Sequence, residues 1–172
     1  MTRGESELLA AAAAVVTSAA DAADAPGRVV RLLSADRQGW DWVGIYLLDG
    51  DTLVLGPFAG EPTEHLRIPV GRGVCGTAVA ERRSLVVDDV TTLDNYLACS
   101  VHTRSELVVL IEDGDEILGQ FDIDSDRPGN FGDADVRLLQ RLAPLVAPGC
   151  RALRDRLYEA GTATTPRPTM AP

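Results

Sequence analysis

Asp41-Trp42-Val43-Gly44-Ile45-Tyr46-Leu47-Leu48-Asp49-Gly50-Asp51-Thr52-Leu53-Val54-Leu55 is the stretch on which the fold turns. Trp42, Gly44, Tyr46 and Leu48 alternate with Val43, Ile45 and Leu47, the two-residue period of a strand. Asp49-Gly50-Asp51 supplies a tight turn, and Leu53-Val54-Leu55 brings the chain back as a hairpin. The same pattern returns downstream, where Glu106 to Ile111 and Glu116 to Ile123 flank Asp113-Gly114-Asp115. Shorter strands are predicted at Leu66 to Val70 and at Ser84 to Val87.

Helices are predicted around these strands. Residues 5–22 are rich in alanine and have few breakers. Pro26 suits a first helical turn, with Val29, Val30, Leu32 and Leu33 as the apolar stripe behind it. Val74 to Arg82 reads as a third helix. After Phe131, Asp133 and Asp135 favour a helix start by countering the dipole, and Val136, Leu138, Leu139, Leu142 and Leu145 give that helix its apolar face. Pro144 and Pro148 are predicted to kink or split it. This order of elements predicts an α+β domain: a central antiparallel sheet of about six strands, flanked by helices that gather on one face. Its expected organisation is an N-terminal helical segment over 1–26, the domain over 27–160 and a disordered tail over 161–172, rich in Thr and Pro. Asp88 to Arg104 is a long polar connection with no sustained period, a length usually reserved for functional or disordered loops.

Composition narrows the function. The 172 residues suit one domain, and the formal net charge of −10 repels a phosphate backbone. The sixteen basic residues are all arginine and lie scattered among acids, so a nucleic-acid partner is not expected. No apolar run reaches the roughly 20 residues of a spanning helix, and Glu5 and Glu7 precede the apolar N-terminal stretch where an export signal would be basic. No membrane association is expected. Three cysteines, Cys75, Cys99 and Cys150, cannot all pair in one chain, which points to the cytoplasm and to free thiols. The two histidines, His65 and His102, lack companions at metal-ligand spacing, so no metal is predicted, nor any cofactor.

Several side chains could carry chemistry. Cys99 stands in the long polar connection between small Ala98 and Ser100, where it could be an accessible reactive thiol or a buried loop cysteine. Cys75 opens a helix after a Gly-rich turn, a place that can acidify a thiol and that equally suits a small packing residue. Asp122 and Asp124 share one face of a strand. Their charges are costly there unless water or a ligand meets them. Glu106 begins the neighbouring strand, so the three acids could converge on one pocket. Trp42 and Tyr46 also share a face, as core residues or as a pocket wall.

Read together, Trp42-Val43-Gly44-Ile45-Tyr46, Leu53 to Phe58, Arg67 to Ala78, Leu97 to Ser100, Ser105 to Val109 and Phe121 to Ser125 closely resemble the free methionine-R-sulfoxide reductases, a branch of the GAF superfamily. The resemblance runs from about Trp40 to Leu142. It implies a GAF-type fold and thiol-dependent reduction of free L-methionine-(R)-sulfoxide. It further implies Cys99 as the nucleophile, Cys75 in its recycling, and Glu106, Asp122 and Asp124 as the groups that bind the amino acid and the sulfoxide oxygen. Trp42 and Tyr46 would line the pocket around the methyl group. The implied partners are the free sulfoxide and thioredoxin or a small thiol, with a homodimer through the terminal helices. The sequence departs from the pattern at His65, where relatives carry a further cysteine, at Ser100 in place of Asp and at Leu110 in place of Pro. Cys150 has no family counterpart. The rival readings are a non-catalytic GAF module that binds a small ligand or senses oxidation, and a thiol peroxidase, which would need only a reactive Cys99.

Overall fold

The protein is described by a computed structural model that covers residues 2–94, 96–97 and 102–160. Cys99 and the tail from Gly161 lie outside the described residues. Six strands, β1 Trp42–Asp49, β2 Thr52–Ala59, β3 Arg67–Pro69, β4 Leu85–Val87, β5 Ser105–Asp113 and β6 Glu116–Ser125, form one sheet in the order β3-β2-β1-β6-β5-β4. Every neighbouring pair is antiparallel. The expected α+β architecture is what the chain adopts. Both predicted hairpins close on a glycine in the left-handed region, Gly50 at φ 61° and Gly114 at φ 59°.

The alternation within each strand divides the core in two. Val43, Ile45 and Leu47 of β1, Leu107 and Val109 of β5, and Phe121 and Ile123 of β6 face helices α1 Glu5–Thr17, α2 Ala25–Asp36 and α4 Asp133–Glu159. Trp42 and Tyr46 face the other way, toward helix α3 Gly73–Glu81. The helices therefore do not all gather on one face: α3 packs alone on the second, through Val74, Cys75, Ala78 and Val79. That lone helix creates the recess described below.

Pro144 and Pro148 do not split the last helix, which runs unbroken from Asp133 to Glu159 with both prolines inside it. A proline in a helix interior costs about 3 kcal/mol by removing a hydrogen bond and crowding the preceding turn. Here Gln140, Pro144 and Pro148 follow one another at four-residue spacing, and all three are exposed. Water can serve the carbonyls that the prolines release. The opposite face, with Leu138, Leu139, Leu142, Val146 and Cys150, stays buried against the sheet and holds the helix together.

Candidate active site

Register brings the acidic residues together. In the β1–β6 ladder Trp42 stands opposite Asp124, Gly44 opposite Asp122 and Tyr46 opposite Gln120. In the β5–β6 ladder Glu106 stands opposite Asp124, Val108 opposite Asp122 and Leu110 opposite Gln120. Asp122 and Asp124 therefore lie on the face that α3 covers, with Glu106 beside them on the next strand. None is a solvated strand end: Glu106, Asp122 and Asp124 are 2%, 0% and 2% exposed.

Helix α3 adds the sulfur. Its third residue, Cys75, is buried, and its Sγ–H donates to Oε1 of Glu106 at 3.8 Å. One ligating atom from each of Cys75, Glu106 and Asp122 lies within 4.8 Å of the other two. The close entry of α3 depends on Gly76, where a Cβ would sit 2.4 Å from the carbonyl oxygen of Pro69.

Three acids in so dry a space cannot all ionise at ordinary pH. Burial holds the Glu106 carboxyl well above its usual range, and the charges of Asp122 and Asp124 push it further. Glu106 also shares a hydrogen bond with Asp122, so one carboxyl of that pair carries the proton. Asp124 is raised by burial first, then by Asp122 and Asp126. Neither carboxylate oxygen of Asp124 has a hydrogen-bond partner among the described residues. A buried polar group left without a partner costs about 1–3 kcal/mol, and more if charged.

Aromatic residues form the adjoining wall. The indole of Trp42 stacks on Phe58 with ring centroids 5.6 Å apart, and the ring of Tyr46 lies 6.3 Å from it. Trp42 Nε1 donates to the carbonyl of Glu61 at 3.0 Å, and the Tyr46 hydroxyl to the carbonyl of His65 at 2.8 Å. Both rings thus spend their polar ends on the chain that leads into β3 and keep apolar surface toward the recess. Gly44 allows this, because a Cβ there would lie 2.2 Å from the Trp42 ring. A cavity of about 190 Å³ opens beside Asp124, lined also by Asp41, Trp42, Glu61, His102, Thr103 and Asp126.

The described residues on either side of Cys99 both reach this region. Leu97 packs against the α3 cluster and would be 3.2 Å from a Cβ at Gly73, two residues before Cys75. His102 and Thr103 line the cavity. Cys150 is elsewhere, in the core between α4 and the sheet, where burial pushes its thiol up to about 12. A larger cavity of about 570 Å³, lined by Gly27, Arg31, Leu55 and Leu157 among others, contains none of the thiols or paired acids.

Sequence reasoning passed over Gln120. It is fully buried, and neither its amide oxygen nor its nitrogen has a hydrogen-bond partner among the described residues. The signal was present: Gln120, Asp122 and Asp124 continue one two-residue period along β6.

Comparison with known proteins places these features in a family. A sequence model described as the GAF domain matches residues 7–148, and the chain belongs to the GAF domain family. Within it, the chain is 47% identical over 102 residues to the free methionine-R-sulfoxide reductase of Escherichia coli, a match covering 59% of this chain and 61% of that relative. It thus spans about three fifths of the length of that curated protein. The crystal structure of free methionine-R-sulfoxide reductase from Neisseria meningitidis, in complex with its substrate, superposes with a TM-score of 0.80 at 36% identity, covering 88% of this chain and 91% of that one. A type II free methionine-R-sulfoxide reductase from Thermoplasma acidophilum superposes with a TM-score of 0.74 at 35% identity, covering 77% of this chain and 94% of that one.

Proposed function

We propose that the protein reduces free L-methionine-(R)-sulfoxide to methionine with thiols as the electron source. The observation that carries this reading is the buried group of Cys75, Glu106, Asp122 and Asp124 beside the Trp42 and Tyr46 rings. A module that merely binds an apolar ligand has no use for three buried carboxyls, and a thiol peroxidase has no use for an amino-acid pocket. The likeness to reductases of this substrate supports the same assignment.

In this reading Asp124, whose oxygens have no hydrogen-bond partner among the described residues, receives the ammonium group of the substrate. The aromatic wall takes the S-methyl end. Cys99 is the nucleophile, a role supported by the resemblance of its segment and by the position of Leu97 and His102 at the recess. Its thiolate attacks the sulfoxide sulfur while the proton held between Glu106 and Asp122 moves to the oxygen. The S–O bond of the substrate breaks. The methionine sulfur gains two electrons, the Cys99 sulfur loses two, and the oxygen remains on Cys99 as a sulfenic acid. Cys75 then condenses with that sulfenic acid, forming a disulfide and releasing water, and thioredoxin or a small dithiol reduces it. With His65 where relatives have a cysteine, Cys75 is the thiol left to resolve the intermediate. We assign the protein to the cytoplasm on its free thiols, and to a homodimer through the terminal helices.

The test is turnover. The reduced protein is incubated with free methionine-R-sulfoxide and a dithiol, and the methionine formed is quantified. Sustained formation above the reductant alone is the expected result; oxidation of the thiols by peroxide with no methionine formed would move the assignment to a sensor or peroxidase.

A further inference from the structure

We infer that Cys75, Glu106 and Asp122 form a site for a thiophilic divalent cation, of which zinc(II) is the physiological example, and that the metal excludes substrate from the pocket. The donor set is mixed, a thiolate and two carboxylates, which suits zinc better than magnesium or calcium. Its three ligating atoms already lie within 4.8 Å of one another. Zinc bonds of about 2.0 Å to oxygen and 2.3 Å to sulfur set ligand atoms roughly 3.5 Å apart in a tetrahedron, so small rotations about side-chain bonds complete the approach. The Cys75 to Glu106 separation, at 3.8 Å, is close to that already.

Two further buried polar groups lie on the same strand face as Asp122. Asp124 is directly opposite Glu106 in the sheet, is 2% exposed and has both oxygens without a hydrogen-bond partner among the described residues. Gln120, on the same strand face two residues before Asp122, is fully buried with its whole amide likewise unpartnered. No ion pair reaches Glu106 or Asp124 among the described residues. Protons are what keep these acids together, in the Cys75–Glu106 and Glu106–Asp122 hydrogen bonds. A divalent cation does the same work with more charge. On binding, the thiol proton and the shared carboxyl proton are released to solvent, and no electron is transferred. A water supplies the fourth donor. Binding therefore tightens as pH rises, because protons and metal compete for the same atoms.

The metal would occupy the groups that the proposed reaction uses for proton delivery and recycling, so it acts as a reversible inhibitor. Inhibition rests on the proposed reductase function, whereas metal binding does not, and the two are measured separately. Zinc(II) is titrated into the reduced full-length chain against a chromophoric chelator, and cobalt(II) is added to a second sample to read thiolate-to-metal charge transfer. One metal per chain is expected, with a charge-transfer band that disappears in Cys75→Ser and a zinc affinity that falls by more than about 100-fold, the upper end of what loss of even an outer-shell partner costs. Glu106→Gln keeps the thiol and should weaken zinc binding by at least about 10-fold, so it decides the matter if Cys75→Ser fails to fold. Cys150→Ser should bind as the unaltered protein does. Binding of less than one metal per chain, binding that survives both Cys75→Ser and Glu106→Gln, or binding that depends on Cys99 instead would overturn the site. One-to-one binding without loss of turnover would retain the site and remove its inhibitory role.

Discussion

Replacing Asp124 with asparagine should make the protein more stable and less active, and the two effects should separate with pH. Asp124 is raised by burial, then by Asp122 and Asp126. A carboxyl whose folded value exceeds its unfolded value contributes stability that is complete below the unfolded value, near about 3.9, and that is lost as pH rises through the folded one. Across that window the wild type gives up about 1.4 kcal/mol for each pH unit, the cost of holding one proton in the fold or of ionising a buried group. The amide of the Asp124→Asn variant has nothing to titrate. The variant's advantage over the wild type should be near zero at about pH 4 and grow steadily toward neutrality. Catalysis should move the other way. Loss of a charge-assisted hydrogen bond to the substrate ammonium costs about 1.5–3 kcal/mol, or roughly 10- to 150-fold in kcat/KM. Urea unfolding at a series of pH values, paired with turnover at each, measures both. If Asp124→Asn were less stable at neutral pH, or if its gain did not change with pH, Asp124 would be an ordinary satisfied core residue whose carboxyl burial does not perturb.

Other substitutions probe the remaining parts. Cys75→Ser should release one methionine per chain in a single turnover and then stall, and loss of that first burst would make Cys75 chemical rather than resolving. Gly44→Ala forces a Cβ to within 2.2 Å of the Trp42 ring as it now lies, so it should displace the indole and cut kcat/KM by about 10-fold or more, with the change in ring packing visible in tryptophan fluorescence. Unchanged fluorescence and rate would detach Trp42 from the site. A methionine sulfoxide within a peptide has no ammonium for Asp124, and the S epimer exchanges methyl and oxygen between the aromatic wall and the acids. Both should turn over at least about 100-fold more slowly than the free R epimer, and similar rates on all three would indicate a nonspecific thiol reaction.

Much of this arrangement was legible in the sequence because strands have a rigid period. Trp42 and Tyr46 on one face, and Asp122 and Asp124 on one face, follow from counting by two, and the Asp-Gly-Asp turns fix both hairpins. Which side of the sheet each helix would choose was less legible. Helix α3 is nine residues long and apolar nearly all round, with Val74, Cys75, Ala78 and Val79 buried, so periodicity gave it no direction. Its burial against Glu106 depends on contacts made by distant β5 and β6. The two prolines of α4 misled for the opposite reason: local propensity argued for a break, while packing of the face opposite Pro144 and Pro148 overrode it. Gln120 was missed because glutamine in a strand is unremarked until its burial is known.

The most direct test of the whole account is a single turnover without reductant. Fully reduced protein is mixed with excess free methionine-R-sulfoxide, quenched, and assayed for methionine, while the cysteine peptides are mapped by mass spectrometry. One methionine per chain should appear, together with a Cys75–Cys99 disulfide, and Cys99→Ser should yield none. Methionine formed in equal amount by Cys99→Ser, or no methionine from the wild type while its thiols remain reduced, would contradict a thiol reductase built on this pocket.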